Sequence, residues 1–322
     1  MKGNGSNIKV HLFCVFVLSL ILCSTTAFGA TILVPGDYKT IQVGINAASD
    51  GDTVLVADGI YTGRLNKNID FKGKEITVRS ENGPEQCIID CGGNGRGFYF
   101  HSGELEDSVL SGFTITNGRT TNYGAGIYCS GSSPTITHCI IVNNKVIGTS
   151  NNSHGGGIYL GSGACPNITN CIIMRNTSNY QGGGIYCYNG NPIITNCTIT
   201  RNIAVDGGGI YSRFKPAPRL TNCILWGNTP NEVAKDLNTD SPRIRYSVVE
   251  GGYRGTGNIK AAPLFVSSGD YYHLTKKSPC VNAGTSTGAP DTDIDGDSRP
   301  RGKRIDIGAD EYTKEQEQKP EG

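Results

Sequence analysis

The chain has 322 residues, with 29 lysines and arginines against 28 aspartates and glutamates and a formal net charge of +1. This balance leaves no basic surplus for nucleic acid or for an anionic membrane, so neither is an expected partner. The length suffices for one extended domain.

Residues 1–29 have the pattern of a secretory signal peptide. Lys2 and Lys9 precede an apolar run from Leu12 to Leu22, and small residues follow at 27–30. The run is too short to span a bilayer, and no later segment is apolar enough to anchor the chain. We therefore expect a secreted or cell-surface protein with no transmembrane segment once the signal is removed.

The next segment, residues 30–62, is predicted to form a strand, a helix and a strand. In "TILVPGDYKTIQVGINAASDGDTVLVADGIYTG", the residues Ile41, Ile45 and Ala48 share one helical face. The open end of a stacked β structure exposes strand edges that invite aggregation. A short amphipathic helix can cover such an end, so we expect an N-terminal capping helix.

Residues 63–261 contain a repeat. Within them the tripeptide Gly-Ile-Tyr recurs, with its tyrosine at Tyr128, Tyr159, Tyr186 and Tyr211. The phrase Pro-x-Ile/Leu-Thr-Asn/His-Cys follows each copy, with spacings of 32, 26 and 26 residues between Cys139, Cys171, Cys197 and Cys223. An asparagine stands five residues beyond each cysteine, at Asn144, Asn176, Asn202 and Asn228. Constant offsets within phrases, with variable lengths between them, are typical of a repeat architecture.

Each repeat holds short strands that cannot bury a face alone, so stacked copies must share one continuous core. A repeat of about 25 residues without a helix predicts one coil of a parallel β-helix, which makes the chain an all-β solenoid. The two-residue period of a strand directs Ile185 and Cys187 inward and Tyr186 outward. The positions expected at corners, in the left-handed conformation and in a hydrogen-bonded amide ladder, are His138, Asn170, Asn196 and Asn222.

Two segments follow the coils. Residues 262–313 have few glycines, an aspartate run and the closing phrase "DIGADEY". Residues 314–322, "KEQEQKPEG", form a polar tail that we expect to be disordered.

The phrases "GGGIYC" and "PIITNC" and the opening segment resemble the right-handed parallel β-helix proteins of the pectin-lyase-like class. The phrase "SPCVNAGTSTGAPDTDIDGDSRPRGKRIDIGADEY" is similar to the closing segment known as choice-of-anchor Q. The resemblance implies a right-handed β-helix over nearly all of the mature chain, displayed outside the cell. It implies no single activity, because this fold carries lyases, hydrolases, esterases, epimerases, adhesins and inert surface proteins.

Catalysis by known β-helix chemistry is not expected. Between Thr121 and Pro230 the only carboxylate is Asp206, whereas glycoside hydrolysis needs two. The run 238–240, Asn-Thr-Asp, matches one polygalacturonase phrase, but the D-D pair and G-H-G of that family are missing. The motifs of pectate lyases and methylesterases are missing as well.

Three functions remain open. The one we favour is a non-catalytic β-helix that is carbohydrate-binding or adhesive, with a polysaccharide or cell-wall glycan as partner. The second is a polysaccharide lyase or glycoside hydrolase with a non-standard site. The third is a structural surface protein with no small ligand.

The outward tyrosines are the candidate glycan platform. Stacked coils would place Tyr128, Tyr159, Tyr186 and Tyr211 in one row. Sugar rings can lie on aromatic faces, the tyrosine hydroxyls can bond their polar edges, and the flanking glycines would leave the row open. The alternative is that neighbouring rings stack on each other and stabilise the sheet without a ligand.

The repeat cysteines are expected to form an inward ladder of free thiols, because buried cysteine behaves as a small hydrophobe. Disulfides are the alternative in an oxidising compartment, and a coil spacing of about 4.8 Å permits the distance. Parallel stacked side chains point the same way rather than at each other, which favours free thiols.

No cofactor is required by this interpretation, but the run "DTDIDGD" follows the order of the start of an EF-hand loop. Its twelfth position is Gly302, where an EF-hand has a bidentate glutamate. The alternative is a solvated Asp-Gly turn. The candidate calcium ligands are Asp291, Asp293, Asp295 and Asp297.

Overall fold

The computed structural model describes residues 29–149, 152–266 and 272–314. Over these residues the chain winds into a right-handed parallel β-helix, as the repeat predicts. Each coil adds one strand to each of three long parallel sheets. The expected signal peptide, up to residue 28, and the polar tail beyond residue 314 lie outside the described residues.

Four sheets, here named A to D, build the described part of the chain. Sheet A comprises Thr31–Val34, Thr53–Val56, Thr77–Ser80, Val109–Ser111, Thr135–Thr137, Asn167–Thr169, Ile193–Thr195, Arg219–Thr221 and Arg243–Arg245. Sheet B comprises Gly59–Tyr61, Cys87–Asp90, Thr114–Thr116, Ile140–Val142, Ile172–Met174, Thr198–Thr200, Ile224–Trp226 and Val248–Val249. Sheet C comprises Ile69–Asp70, Phe98–Phe100, Ile127–Ser130, Ile158–Gly161, Ile185–Tyr188, Ile210–Arg213 and Val233–Lys235. The short sheet D comprises Arg119–Thr120, Lys145–Val146 and Thr177–Ser178.

The interior of the coils is one continuous apolar core. Ile185 and Cys187 are buried in it, and the intervening Tyr186 lies on the opposite side of the strand, as the two-residue period predicts. The repeat cysteines stand in the same core as free thiols: Cys139, Cys171, Cys197 and Cys223. Burial raises the pKa of the Cys139 and Cys197 thiols, and buried cysteines pack as small apolar side chains.

The N-terminal segment has the predicted order of strand, helix and strand. Its helix, Ile41–Ala47, buries Ile41 and Ile45 completely against the first coils. A Cβ at Gly44 would lie 3.0 Å from a methyl of Val34, so the glycine lets the helix approach the sheet closely. A single turn of 3-10 helix, Arg64–Asn66, follows and presents the Asn66 amide oxygen to the backbone N–H of Ile41 at 3.0 Å.

The corner positions adopt the predicted left-handed conformation. The φ angles of His138, Asn170, Asn196 and Asn222 are 50°, 49°, 49° and 54°. The expected ladder forms only in part along these corners. Asn222 donates to the Asn196 amide oxygen at 3.1 Å, and the Asn170 amide nitrogen bonds to His138 Nε2 at 3.1 Å while it also donates to the carbonyl of Thr292 at 2.6 Å. The closing segment, rather than the next coil, takes up part of the corner amides.

A continuous amide ladder lies instead inside the coils, at the asparagines five residues beyond each cysteine. Each side-chain amide donates to the amide oxygen of the next at 2.9–3.1 Å, in the order Asn144, Asn176, Asn202 and Asn228. The carboxylate of Glu232 accepts from the last one and ends the row. The ladder thus pairs polar groups that would otherwise be buried without partners.

The closing segment, residues 272–314, lies along the outer face of sheet B. Tyr272, Ile294 and Ala309 pack on outward residues of one part of that face, among them Ile140 and Ile172. Further along, Leu274, Cys280 and Ile307 pack on Ile224 and Val248. The segment therefore covers an apolar strip that a free solenoid would expose.

Buried charged groups hold the closing segment in shape. Arg299 pairs with Glu311 at 2.6 Å, with both side chains almost fully excluded from solvent, and donates to the carbonyls of Gly308 and Ala309. The Asp306 carboxylate accepts from two backbone N–H groups of the same segment. These bonds pair the buried charges, which would otherwise be costly, although Arg299 Nε is buried without a hydrogen-bond partner. No helix in the described ranges is both long enough and apolar enough to cross a membrane.

Candidate functional site

The predicted tyrosines form one row on the outer face of sheet C. The structure places Tyr128, Tyr159, Tyr186 and Tyr211 in register on successive coils. The distances between neighbouring ring centroids are 5.3, 5.5 and 5.6 Å, with interplanar angles of 20°, 5° and 1°. The outward direction and the alignment predicted from the repeat are confirmed.

The row is not the open platform that the flanking glycines suggest. Tyr159, Tyr186 and Tyr211 are only 8%, 1% and 2% exposed, because the row is covered by residues that precede the strands. His154 stacks on Tyr186 at 4.1 Å, and Tyr123 lies 4.4 Å from Tyr159. The expectation of freely accessible ring faces along the whole row is therefore corrected: most of the row is a packed aromatic stack.

The glycines are the physical reason for the cover. Gly155 has a φ of 69°, and a Cβ there would lie 2.5 Å from the carbonyl oxygen of Ile158. Gly182 has a φ of 68° and would place a Cβ 2.7 Å from that of Tyr186. The glycine runs therefore turn the preceding loop back onto the strand, where its aromatic residue reaches the tyrosine row.

The hydroxyl end of the row carries polar partners. Tyr211 donates its hydroxyl hydrogen to the Asp236 carboxylate, which also pairs with Arg213 at 3.0 Å. Burial raises the pKa of Tyr186 to about 12 and raises that of Tyr159 further. The phenols therefore stay protonated at neutral pH.

A half-exposed aromatic group remains at the N-terminal end of the row. We call it the aromatic surface; it consists of Tyr99, Tyr123 and Tyr128 with Arg96. Tyr99 and Tyr128 lie 4.8 Å apart, and Tyr123 lies 6.4 Å from Tyr128. The Arg96 guanidinium stands 5.2 Å and 5.3 Å from the centroids of Tyr99 and Tyr128.

Sequence reasoning missed part of this surface. Tyr99 occupies the tyrosine position of the repeat one coil earlier, in "FYF", where the Gly-Ile signature is absent. An aromatic residue shortly before three of the four glycine runs was the available signal for the rest, as in "NYGAG", "SHGGG" and "NYQGGG". The residues in those phrases are Tyr123, His154 and Tyr180.

Three of the four aspartates of the candidate calcium loop have separate partners, namely Asp293, Asp295 and Asp297. Asp293 is buried and accepts from the backbone N–H groups of Asp295, Asp297 and Glu311. Asp297 pairs with Arg301 at 2.8 Å. Burial raises the pKa of Asp293 to about 6. Asp291 is exposed. The loop therefore has the hydrogen bonds of an Asp-Gly turn.

Asp295 belongs to a different group. In the described part of the chain, its carboxylate lies with His273 and Asp310 in the only cluster of three groups with metal-ligand spacing, within 4.8 Å of one another. His273 Nε2 also lies 2.9 Å from the Asp295 carboxylate, within hydrogen-bonding distance. Calcium binding by residues 291–297 stays a prediction.

Two carboxylates of the coils, Glu104 and Asp206, serve structural roles. Glu104 is 1% exposed and accepts from the Ser132 hydroxyl and from backbone N–H groups at 73 and 102. Asp206, the sole carboxylate of the clear repeats, accepts from the Asn231 amide at 3.3 Å. Among the described residues, Asp206 does not belong to a group of three side chains with metal-ligand spacing.

Comparison with known proteins agrees with this architecture. Residues 149–259 match the family model described as a right handed beta helix region. No curated protein sequence matches the chain. Among solved structures, the chain is similar to pectate lyase Pel9A, with 15% identity, a TM-score of 0.48, and 88% of this chain and 96% of that chain covered. It is also similar to a pectin methylesterase from carrot, with 15% identity, a TM-score of 0.39, and 70% and 73% covered. Likeness of fold at such identity assigns no activity.

Proposed function

We propose that the protein is exported and that it binds a polysaccharide or cell-wall glycan on the aromatic surface, without chemical turnover. The observation that carries the proposal is the half-exposed group of Tyr99, Tyr123 and Tyr128 around Arg96, at the accessible end of the tyrosine row. The expected signal peptide supports export.

The chemistry of the aromatic surface suits a sugar. A tyrosine ring offers an apolar face for the C–H face of a pyranose and a hydroxyl for its polar edge. Arg96 donates to the carbonyl oxygens of Gly124 and Tyr123 at 3.1 Å each, so it fixes the loop that carries Tyr123. Rings held in place in the free protein lose less entropy when a ligand binds.

The absence of turnover rests on the carboxylates. Hydrolysis or elimination on a sugar ring requires acid and base groups beside the ligand. On the coils of the aromatic surface, Glu104 is engaged in structural hydrogen bonds, and Asp70, the ladder partner of Tyr99, lies 3.4 Å from His101. Neither carboxylate belongs to a cluster of three side chains with metal-ligand spacing in the described part of the chain. An enzyme with an unfamiliar site is the competing function, and a structural surface protein without a ligand is the other.

A glycan array with the purified protein identifies the ligand, and variants then locate the site. Tyr99→Ala/Tyr128→Ala should weaken binding by about tenfold or more, since two aromatic anchors are lost. Tyr38→Ala is the matched control, because Tyr38 is 37% exposed and lies in the N-terminal segment; it should leave binding unchanged.

A second variant separates the site from the packed stack. Tyr186→Ala removes a ring that is 1% exposed, so it should lower the melting temperature while binding survives. An array without any bound glycan would leave the structural surface protein as the function. Unsaturated uronate absorbance or new reducing ends on a polysaccharide panel would instead establish an enzyme.

A further inference from the structure

A groove of about 930 Å³ lies at the C-terminal end of the solenoid, away from the aromatic surface. Its walls are the outward side chains of the last strands of sheet A and the loop 252–255. Its lining includes Ile193, Arg219, Arg243, Arg245, Tyr253 and Arg254. We call it the arginine groove.

No acidic residue lines the arginine groove. Its four arginines are exposed, and none of them has a carboxylate partner within ion-pair distance in the described ranges. Arg219 and Arg243 are direct partners in the parallel ladder, and Arg245 is the partner of Thr221. Like charges placed opposite each other destabilise a sheet, so this arrangement is unfavourable until an anion occupies the groove.

We propose that the arginine groove binds an anionic polysaccharide through its carboxylate or sulfate groups. Guanidinium groups match such oxyanions with paired hydrogen bonds. The coil spacing of about 4.8 Å places successive guanidiniums along the solenoid axis, so a chain with repeated charges can meet several of them. Ile193, which is 46% exposed, and the Tyr253 ring add apolar contact area for the sugar rings.

Nucleic acid fits this groove less well. Proteins that bind single strands present several free aromatic faces on which bases stack along a basic track. Here the only aromatic residue of the lining is Tyr253, and its hydroxyl is already bonded to the carbonyl of Pro242 at 3.1 Å. The positive charge is also local, since the sequence pI is about 7.5, whereas nucleic-acid-binding domains are strongly basic.

The test uses polymers matched in backbone and different in charge. Binding of the purified protein is measured for dextran sulfate against neutral dextran, and for polygalacturonate against its fully methylated ester, with single-stranded DNA as a further polyanion. Saturable binding to the sulfated polymer, to the uronate or to both, without binding to the matched neutral polymer, supports the groove and identifies which anion it takes.

Variants then assign the binding to the groove. Arg219→Gln/Arg243→Gln removes two charges and should weaken binding by about a hundredfold, roughly tenfold for each charged hydrogen-bond donor lost. Arg119→Gln/Lys145→Gln is the matched control, since these two exposed residues are also ladder partners, on sheet D. The control should change affinity by less than about threefold, a small effect of net charge alone.

Three results would overturn the proposal. The first is that neither anionic polymer shows saturable binding. The second is that the groove variant and the control variant lose the same affinity for the polymer. The third is that single-stranded DNA binds at least as tightly as the polymers and loses as much affinity in the groove variant. Because the side chains are exposed, unchanged circular dichroism and melting temperature are expected and exclude misfolding as the cause. Tyr99→Ala/Tyr128→Ala should leave polymer binding at the arginine groove intact, which distinguishes the groove from the aromatic surface.

Discussion

The contribution of the asparagine ladder to stability is tested by Asn202→Ala, which interrupts the ladder. The Asn202 side chain makes four hydrogen bonds. Its amide nitrogen donates to the carbonyl of Ile173 at 2.8 Å and to the Asn228 amide oxygen at 2.9 Å. Its oxygen accepts from the backbone and side-chain nitrogens of Asn176 at 2.9 and 3.0 Å.

The cost follows from the groups that lose a partner. Asn228 keeps a bond from the backbone N–H of Asn202, and the Asn176 side chain keeps one to Ile141. One backbone N–H, one amide hydrogen and one carbonyl oxygen are then left without their partner in a fully buried site. At about 1–2 kcal/mol for each buried unpaired group, the free energy of unfolding should fall by about 3–6 kcal/mol. That is a large share of the 5–15 kcal/mol typical of a domain.

Urea unfolding measures this change, followed by fluorescence. The chain has a single tryptophan, and Trp226 ends the strand that precedes Asn228, so the probe reports from the same coils. Asn82→Ala is the control, because Asn82 is exposed and makes one bond, to Asp58 at 3.0 Å; it should cost less than about 0.5 kcal/mol. A loss below about 1 kcal/mol for Asn202→Ala would show that the ladder is not a source of stability.

Four further predictions concern thiols, pH, the closing segment and calcium. Among the ten described cysteines only Cys165 is exposed, so a thiol reagent should label one cysteine in the native protein. After unfolding without reductant it should label all ten, whereas near-zero labelling would mean that the cysteines form disulfides. Burial raises the pKa of Glu232 from 4.5 to about 7, so the folded state holds that proton more tightly than the unfolded chain. Its contribution to stability is complete below about pH 4.5 and is lost as the pH rises to 7, by about 2–3 kcal/mol, and Glu232→Gln should remove this part of the pH dependence in urea titrations. Arg299→Ala leaves Glu311 buried without its charged partner and should lower the free energy of unfolding by about 3–5 kcal/mol. Limited proteolysis of this variant should release the closing segment before it cleaves the coils, and cleavage of both at the same rate would contradict this. Calcium binding by residues 291–297 is checked by calorimetry on chelator-stripped protein, where the absence of heat at millimolar calcium would end that prediction.

The coil itself was predictable because its causes are local. Ile185 and Cys187 face inward by the two-residue period of a strand, and the phrase that ends at each repeat cysteine sets where the chain turns. Those signals lie within a few residues of one another and recur at constant offsets. They therefore identify the parallel β-helix, its inward face and the outward tyrosine row without knowledge of any distant contact.

The ladder shows where spacing alone is insufficient. Asn196 and Asn202 both recur with the coil, so periodicity cannot say which of the two side chains faces inward. The difference lies in the residue before Asn202: Arg201 has a φ of 54°, and this left-handed turn directs the following asparagine into the coil. Asn196 has the left-handed conformation itself, which leaves its side chain at the surface of the coil for the closing segment.

The burial of the tyrosine row and the roles of the aspartates depend on contacts that are distant in sequence. Tyr159 is covered by Tyr123, from the coil before. Asp293 accepts from the backbone of Glu311, which lies 18 residues later. The loops that bring these residues together vary in length from coil to coil, so no local pattern indicates where they will lie.

The closing segment is hydrogen-bonded to three successive coils of the solenoid. Its carbonyl oxygens at Thr292, Gly308 and Thr285 each accept from the corner asparagine of a different coil, at 2.6, 3.1 and 2.8 Å. Open repeat arrays can gain or lose a unit, because each unit contacts only its neighbours. Here an inserted or deleted coil between residues 170 and 222 would displace these contacts by a full coil spacing, about 4.8 Å. Such a change would therefore break these contacts, whereas a coil added before the segment would leave them in place.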